Sequence, residues 1–298
     1  MDADKPLRLN TLLGDYPNTA ALRRGELRSP GLALDFADVK TPSSAFKRTV
    51  RELEFDVSEL ALVTFLMAKA WGKPLVLLPA VLFSRFQHPY LVYNAERGRL
   101  APRDLEGRRI GIRSYSVTTV AWLRAVLADD YGVDLERVRW VSFEEPHVAE
   151  FRDPPSVERA AAGQDAATML LAGEIDAAIL APPPKDARLQ PVIADPESAA
   201  RAWYRRTQAV QINHMVVVRE SLTRSHPEAV RELWRLLVES RRRGGSTLED
   251  GIDARPYGLD AIRRPLEVAI DCVVRQGLVP RRLGVDELFD EVTRSFAV

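Results

Sequence analysis

The chain has very little cysteine and histidine. Of its 298 residues only Cys272 is a cysteine and four are histidines. An intrachain disulfide, a cysteine-rich zinc site and an iron–sulfur cluster are thereby excluded. Cys272 falls among Val268, Ala269 and Val273 and reads as a small core residue. No charge of one sign predominates either, since Lys plus Arg and Asp plus Glu each number 42. No global basic field therefore exists to hold nucleic acid or a membrane surface. The run Arg241-Arg242-Arg243 is local and closes a predicted helix, where cations complement the dipole. No apolar run approaches membrane-spanning length, and the start MDADKPLRLNTLLGDYP has no charged-then-apolar leader, so a cytoplasmic protein is expected. Phosphate-loop and dinucleotide glycine fingerprints are missing, as is a GxSxG elbow. No His and carboxylate pair has metal-ligand spacing, Glu144, Glu145 and His147 being a loose cluster, so no metal site is expected.

What is present is enough apolar sequence, 46% against 28% charged, to build real cores over two lobes. The first series of predicted strands comprises Leu7–Leu13, Gly31–Ala37, Phe55–Val57, Leu75–Phe83 (with Pro79 inside) and Leu91–Tyr93. Between them stand helices at 19–27 and 41–51 and a strongly apolar one opened by Ser58-Glu59 and running to Trp71. A charged, loop-like stretch from Ala95 to Gly107 marks a boundary. A second series follows, with strands at Arg109–Ile112, Val138–Val141 and Ala177–Leu180, a loop from Glu144 to Pro155 and an Ala-rich run from Ala160 to Ala172. After a helix at 197–206 and a strand at 210–218, the chain reads as helices at 227–243, 259–276 and 285–296. Apolar runs without clean alternation indicate strands covered on both faces, hence an α/β protein whose sheets are mostly parallel. The expected organisation is lobe 1 from residues 1–94 and 214–298, with lobe 2 (95–213) inserted and the ligand cleft between lobes. The loops after the strands, Gly14–Asn18, Ser58-Glu59, Ser84–His88, Ser114–Thr119 and Pro182–Lys185, are expected to line it.

Within the second series, RRIGIRSYSVTTVAWLRAVLADDYGV (108–133) runs from a short buried strand through a hydroxyl-rich turn into a helix that stops at Gly132. Free N–H groups and the positive dipole end at such a helix start suit an anion. An ordinary N-cap is the competing reading.

Several stretches carry a family resemblance: Asp15-Tyr16-Pro17 with Thr19, EFDVSEL (54–60), FSRFQH (83–88), the 102–112 run into SYSVTTVAWLRAVLADDYGV, and Glu144-Glu145-Pro146. EIDAAI (174–179), INHMVVVRE (212–220), YGLDAIRRPLE (257–267) and QGLVPRRL (276–283) continue the series. Spread in order over nearly the whole chain, they resemble the 4,5-dihydroxyphthalate decarboxylase family, which has a type II periplasmic-binding-protein fold. Two departures stand out. The family pattern has arginine where this chain has Gln87, and Ala-Arg-Pro-Pro where it has Ala181-Pro182-Pro183-Pro184. Losing two cations argues for a monocarboxylate or another hydroxylated aromatic acid, such as a hydroxybenzoate, over a phthalate.

The resemblance implies loss of CO₂ from a hydroxylated aromatic carboxylate. Direct departure would leave an aryl anion. Protonating the carboxyl-bearing carbon first gives a dienone-like intermediate stabilised by the phenol oxygen, and needs a proton donor, a phenol-polarising group and a carboxylate clamp. No organic cofactor is demanded. His88 and His214 are the candidate donors, since histidine titrates near pH ~6.5. Either can instead be a hydrogen-bonded core residue. His226, before Pro227, reads as a surface cap and His147 as a rim residue. Arg85 is the candidate clamp, aided by Ser114, Tyr115, Thr118 and Thr119. Glu59 is a candidate base for the phenol, its alternative role being helix-dipole compensation. Ser58 beside it, with Asp15 and Tyr16 on the first-lobe wall, completes the candidate set. The expected partner is a small aromatic carboxylate, with no nucleic acid or membrane and with homo-oligomers allowed. A non-catalytic receptor for such acids and a different lyase on the same fold, of the menaquinone-pathway kind, remain open readings.

Overall fold

The apolar runs form two sheets, each in its own part of the chain. The computed structural model describes residues 5–245, 247–249 and 251–298; residues 1–4, part of the stretch read for a leader, lie outside the described residues. The chain divides into two compact units, Met1–Arg85 with Ile212–Val298, and Phe86–Gln211. The strands of these two sheets, in chain order, are β1 (Leu7–Leu12), β2 (Leu32–Phe36), β3 (Val57–Ala61), β4 (Leu75–Ser84), β5 (Leu91–Asn94), β6 (Arg109–Ile112), β7 (Arg139–Ser142), β8 (Val157–Arg159), β9 (Ala177–Ile179), β10 (Leu189–Pro191) and β11 (Ile212–Arg219).

The first unit's sheet has the order β2-β1-β3-β11-β4. β1 pairs in parallel with β2 and β3, while β11 runs antiparallel to both β3 and β4. The ends of β1, β3 and β4 and the start of β11 therefore share one edge. Apolar side chains of this sheet pack on the helix Pro227–Arg243, whose Val230, Leu233, Trp234 and Leu237 meet Val57, Leu78, Leu82 and Val216. Trp234 stacks between Phe296 and Tyr257, with centroids 5.1 and 5.7 Å away. Pro79 is tolerated within β4 because β4 is an edge strand. Its carbonyl accepts from Gly258 N–H, and Val81 N–H donates to Pro256, so residues 79 and 81 turn their backbone groups away from β11. The N–H that proline lacks removes no bond from the ladder.

The second unit's sheet has the order β10-β5-β9-β6-β7-β8, with β6 parallel to β7 and β9, and β7 parallel to β8. β5, assigned to the first lobe from the sequence, pairs antiparallel with β9 and β10 inside this sheet. The 95–107 stretch mimics a boundary because it is charged, but the division falls earlier, at Arg85/Phe86. Trp122 and Trp203, both buried in this unit, meet edge to face at 5.9 Å. Cys272 is a buried residue of the helix Leu259–Arg275. The last expected helix, 285–296, is instead a 3-10 turn at Val285–Leu288 and a short helix at Glu291–Arg294. Between them Asp290 caps the second piece through Thr293 N–H.

Candidate active site

The first unit gathers a buried carboxylate, a phenol and an imidazole at the shared strand edge. Glu59 lies in β3, a strand that runs on to Ala61 before the helix Leu62–Ala70 begins. It therefore does not open a helix, and dipole compensation is ruled out as its role. The register explains what it meets. His214 of β11 stands opposite Ala61 on one side and Phe83 of β4 on the other. Ala61 is two residues beyond Glu59, so Glu59 and His214 are diagonal neighbours on one face of the sheet. Register shifts in the β4–β11 ladder on either side of His214 accompany this placement of Phe83. Bulges of this kind re-aim side chains at functional edges.

Glu59 is fully buried and its two oxygens are occupied. Oε2 accepts the Gly14 N–H at 2.7 Å. Oε1 accepts the Tyr16 hydroxyl at 2.6 Å and lies 2.6 Å from His214 Nδ1. Burial, then the neighbouring carboxylate, push the Tyr16 hydroxyl well above the usual phenol range, so it keeps its proton and donates. An ionised Glu59 fixes the histidine as the Nδ1–H tautomer and leaves Nε2 to take up or give a proton. Nε2 makes no hydrogen bond to a described residue, and the His214 side chain is 19% exposed. This is the arrangement of an oriented general acid or base, in which a buried carboxylate steers the imidazole and steadies its charged form.

The loop after β1 is shaped around that carboxylate. A Cβ on Gly14 would lie 2.6 Å from Tyr16 Cε2 and 2.9 Å from Glu59 Oε2, so only glycine lets the backbone approach. The Thr19 hydroxyl donates to the Gly14 carbonyl at 2.6 Å and accepts from Tyr16 N–H at 3.0 Å, which closes the turn. Asn18 anchors it to the carbonyls of Val81 and Leu82. Aromatic rings surround the imidazole. Phe46 meets His214 edge to face at 5.2 Å, Phe83 lies 5.5 Å away, and Tyr16 is parallel to Phe83 at 5.9 Å. The Arg85 guanidinium lies 5.1 Å from the centre of the Phe83 ring, and its charge acts on Tyr16. Gly14 falls in a loop expected at the cleft, and Thr19 and Phe83 in stretches that carry the family resemblance, but none of these three nor Phe46 has a site role in the sequence reading. For Gly14 the one available signal was a glycine directly after a strand, a common turn feature. Asp15 is exposed on the turn. Ser58 alternates to the other face, where its hydroxyl binds the Glu59 carbonyl at 2.7 Å and lies 3.2 Å from that of Thr49.

Comparison with known proteins places the chain in a family. No protein-family model matches the chain. A 4,5-dihydroxyphthalate decarboxylase from Comamonas testosteroni is 30% identical over 234 residues, which span 74% of this chain and 71% of that enzyme. A 4,5-dihydroxyphthalate decarboxylase from Pseudomonas putida is 29% identical over 212 residues, spanning 67% and 82%. The chain belongs to the 4,5-dihydroxyphthalate decarboxylase family. Among solved structures, the alkanesulfonate-binding protein SsuA from Xanthomonas axonopodis pv. citri superposes with a TM-score of 0.58 at 14% identity, covering 97% of this chain and 99% of SsuA. The fold is thus the periplasmic-binding-protein type expected from the sequence. As a 4,5-dihydroxyphthalate decarboxylase family member the chain is an enzyme of the carboxy-lyase class.

The remaining candidate residues of this decarboxylase-family chain lie in the second unit. His88 opens a 3-10 turn, is fully buried, and neither ring nitrogen has a hydrogen-bond partner among the described residues. Burial lowers its pKa to about 4, so it is neutral at physiological pH. The turn Ser114–Val117 leads into the helix Thr118–Tyr131, whose N-cap is Val117 with no side-chain cap hydrogen bond. Ser114, Thr118 and Thr119 are buried, and the Ser114 hydroxyl has no partner among the described residues. Tyr115 is half-buried beneath the Arg124 guanidinium, 3.6 Å from its ring centre. Gln87 is buried, its N–H donating to the Gln211 side chain at 2.7 Å. His147, expected at a rim, is also buried, and the His226 ring pairs with the Ser225 hydroxyl at 2.7 Å. Among the described residues no group of three or more His, Cys, Asp or Glu could hold a metal ion, and no helix is long and apolar enough to cross a membrane.

Proposed function

We propose that this enzyme removes CO₂ from a hydroxylated aromatic carboxylic acid of the 4,5-dihydroxyphthalate kind, with His214 as the proton donor. The observation that carries the reading is the buried Glu59 held 2.6 Å from His214 Nδ1 at the strand edge of the first unit. Between the two histidines the settings differ. His214 has a carboxylate partner and a free Nε2, whereas His88 is buried and kept neutral by its surroundings. Charged through Nε2, His214 gives its proton to the carboxyl-bearing ring carbon, and the phenol oxygen of the substrate takes up the resulting charge. The ring–carboxylate bond then breaks, CO₂ departs without that electron pair, and the pair restores the aromatic ring. Glu59 steadies the imidazolium before transfer and keeps Nδ1–H in place after it. Bulk water restores the proton through the exposed part of the ring.

Arg85 is the group of this unit suited to a substrate carboxylate, since its fork matches two oxygens and it already lies against an aromatic wall. Phe83, Phe46 and Tyr16 supply ring faces and edges for an aromatic acid. In the second unit the Ser114–Thr119 turn is an additional anion-binding element, supported by its uncapped helix start and the unpartnered Ser114 hydroxyl. The route asks for no organic cofactor.

The test is CO₂ release from a panel of hydroxyphthalates and hydroxybenzoates, run beside direct binding measurements. Turnover of a para- or ortho-hydroxylated member, lost in His214→Gln with binding retained, is the expected result. Binding of several acids with no CO₂ released from any would leave a receptor and refute the assignment.

A further inference from the structure

A second cavity, in the Phe86–Gln211 unit, has a chemistry that decarboxylation does not use. It has a volume of about 250 Å³ and is lined by Asn94, Arg97, Arg99, Arg108, Gly173 and Asp176, among others. These residues lie where β5 ends and where β6 and β9 begin. The Ser114–Thr119 turn follows the opposite end of β6, so the cavity is separate from that anion element.

Three guanidiniums face one carboxylate here, and that carboxylate is already engaged. Asp176 accepts from Arg108 at 3.3 Å and from the Arg109 N–H at 2.9 Å. Arg97 and Arg99 have no hydrogen bond or ion pair among the described residues. Elsewhere in the chain arginines are commonly paired, as in Arg109 with Glu158, Arg188 with Asp186 and Arg235 with Glu232. The pair of arginines is also held by backbone that only glycine allows. Gly98, between them, has φ 98° and ψ 165°, a region closed to other residues. Gly173 ends the helix Ala166–Ala172 at φ 77°, and a Cβ there would overlap the Arg97 guanidinium. Asn94, 4% exposed, lines the floor, and its side chain caps the Glu96 N–H at 3.1 Å.

We infer that this cavity is a binding site for a small oxyanion carrying two negative charges, of the phosphate or short dicarboxylate type. Two uncompensated guanidiniums match a dianion, and forked donors suit tetrahedral or planar oxygen sets. The volume is below that of sites for drug-sized ligands, about 300–1,000 Å³. A phosphate-sized ion with its first waters matches that volume.

The experiment is a calorimetric titration of the full chain with inorganic phosphate, and separately with malonate, at constant ionic strength. The expected result is saturable binding of at least one of them, weakened tenfold or more in Arg97→Gln/Arg99→Gln. Both positions are exposed and unpaired, so that variant keeps the fold, and its decarboxylase turnover stays at the parent level. Tighter phosphate binding identifies a phosphate-type ligand, and tighter malonate binding a dicarboxylate; either upholds the site. Binding that does not saturate, or that is unchanged in the double variant, overturns it.

Discussion

Glu59→Gln isolates what the carboxylate does for His214. The substitution keeps the shape of the side chain, yet the acceptor pattern cannot be reproduced. Three donors converge on Glu59: Gly14 N–H on Oε2, with the Tyr16 hydroxyl and His214 Nδ1 on Oε1. If the glutamine oxygen takes the place of Oε1, its NH₂ confronts the Gly14 N–H, donor against donor. In the flipped orientation the NH₂ donates to Nδ1, which forces the other histidine tautomer and removes the charge that steadies an imidazolium. Either way one buried group loses its partner, at a cost of about 1–3 kcal/mol in stability. The larger effect falls on catalysis. Loss of the orienting carboxylate behind a histidine lowers kcat by roughly 10⁴-fold where it has been measured in hydrolytic triads. For this site a fall of about 10³- to 10⁴-fold in kcat is expected, with substrate affinity changed only a few-fold. The assay is CO₂ release under single-turnover conditions, paired with equilibrium binding of the same acid. A variant that folds, binds and turns over within tenfold of the parent would refute the role of Glu59 and with it that of His214 as the acid.

Three further outcomes follow from the same geometry. His88 is held near pKa 4 when folded against about 6.5 when unfolded, so the unfolded state binds the extra proton first and stability falls with pH. The loss begins below pH ~6.5 and levels off near pH 4 at about 3 kcal/mol; urea unfolding of His88→Gln across that window should show a pH slope shallower by one proton. Gly14→Ala must displace either Tyr16 or Glu59, with an expected loss of about 1–3 kcal/mol in thermal unfolding and a fall in kcat. Trp234→Ala removes the ring stacked between Phe296 and Tyr257, costing about 3–5 kcal/mol by denaturant titration while leaving the residual kcat of folded protein intact.

The parts legible in the sequence were those where local pattern and tertiary outcome agree. Arg109–Ile112 and Pro227–Arg243 appear with the boundaries expected, because each is a single apolar run or amphipathic stripe ended by glycine or charge. The two-unit organisation was also readable, though β5 was placed in the wrong unit because strand pairing is decided by partners far away in sequence. The short strands β8 (VER) and β10 (LQP) do not stand out in the sequence because polar residues and a proline leave no apolar run, whereas the equally short β9 (AAI) is wholly apolar. At the site, Glu59, Tyr16 and His214 were all named, but as separate candidates. Their union depends on β11 lying beside β3, which no local pattern encodes. The helix boundary next to Glu59 was misread because a fully buried strand and the first turn of a buried helix have the same composition.

The position of β11 has a consequence for how the protein comes into being. It is inserted between β3 and β4, so every residue of the second unit must be made before the first sheet can be completed. His214 emerges 155 residues after Glu59, an interval of roughly 8 to 30 s at ordinary synthesis rates of 5–20 residues per second. Through that interval the nascent chain carries a sheet with a gap at its centre and an acidic side chain without its imidazole. The inserted unit, whose strands are contiguous in the chain, has all it needs to fold first. The proposed proton donor, His214, is thus among the last elements to reach its place, and a chain cut short before Ile212 holds the whole second unit but only the carboxylate of the Glu59–His214 pair.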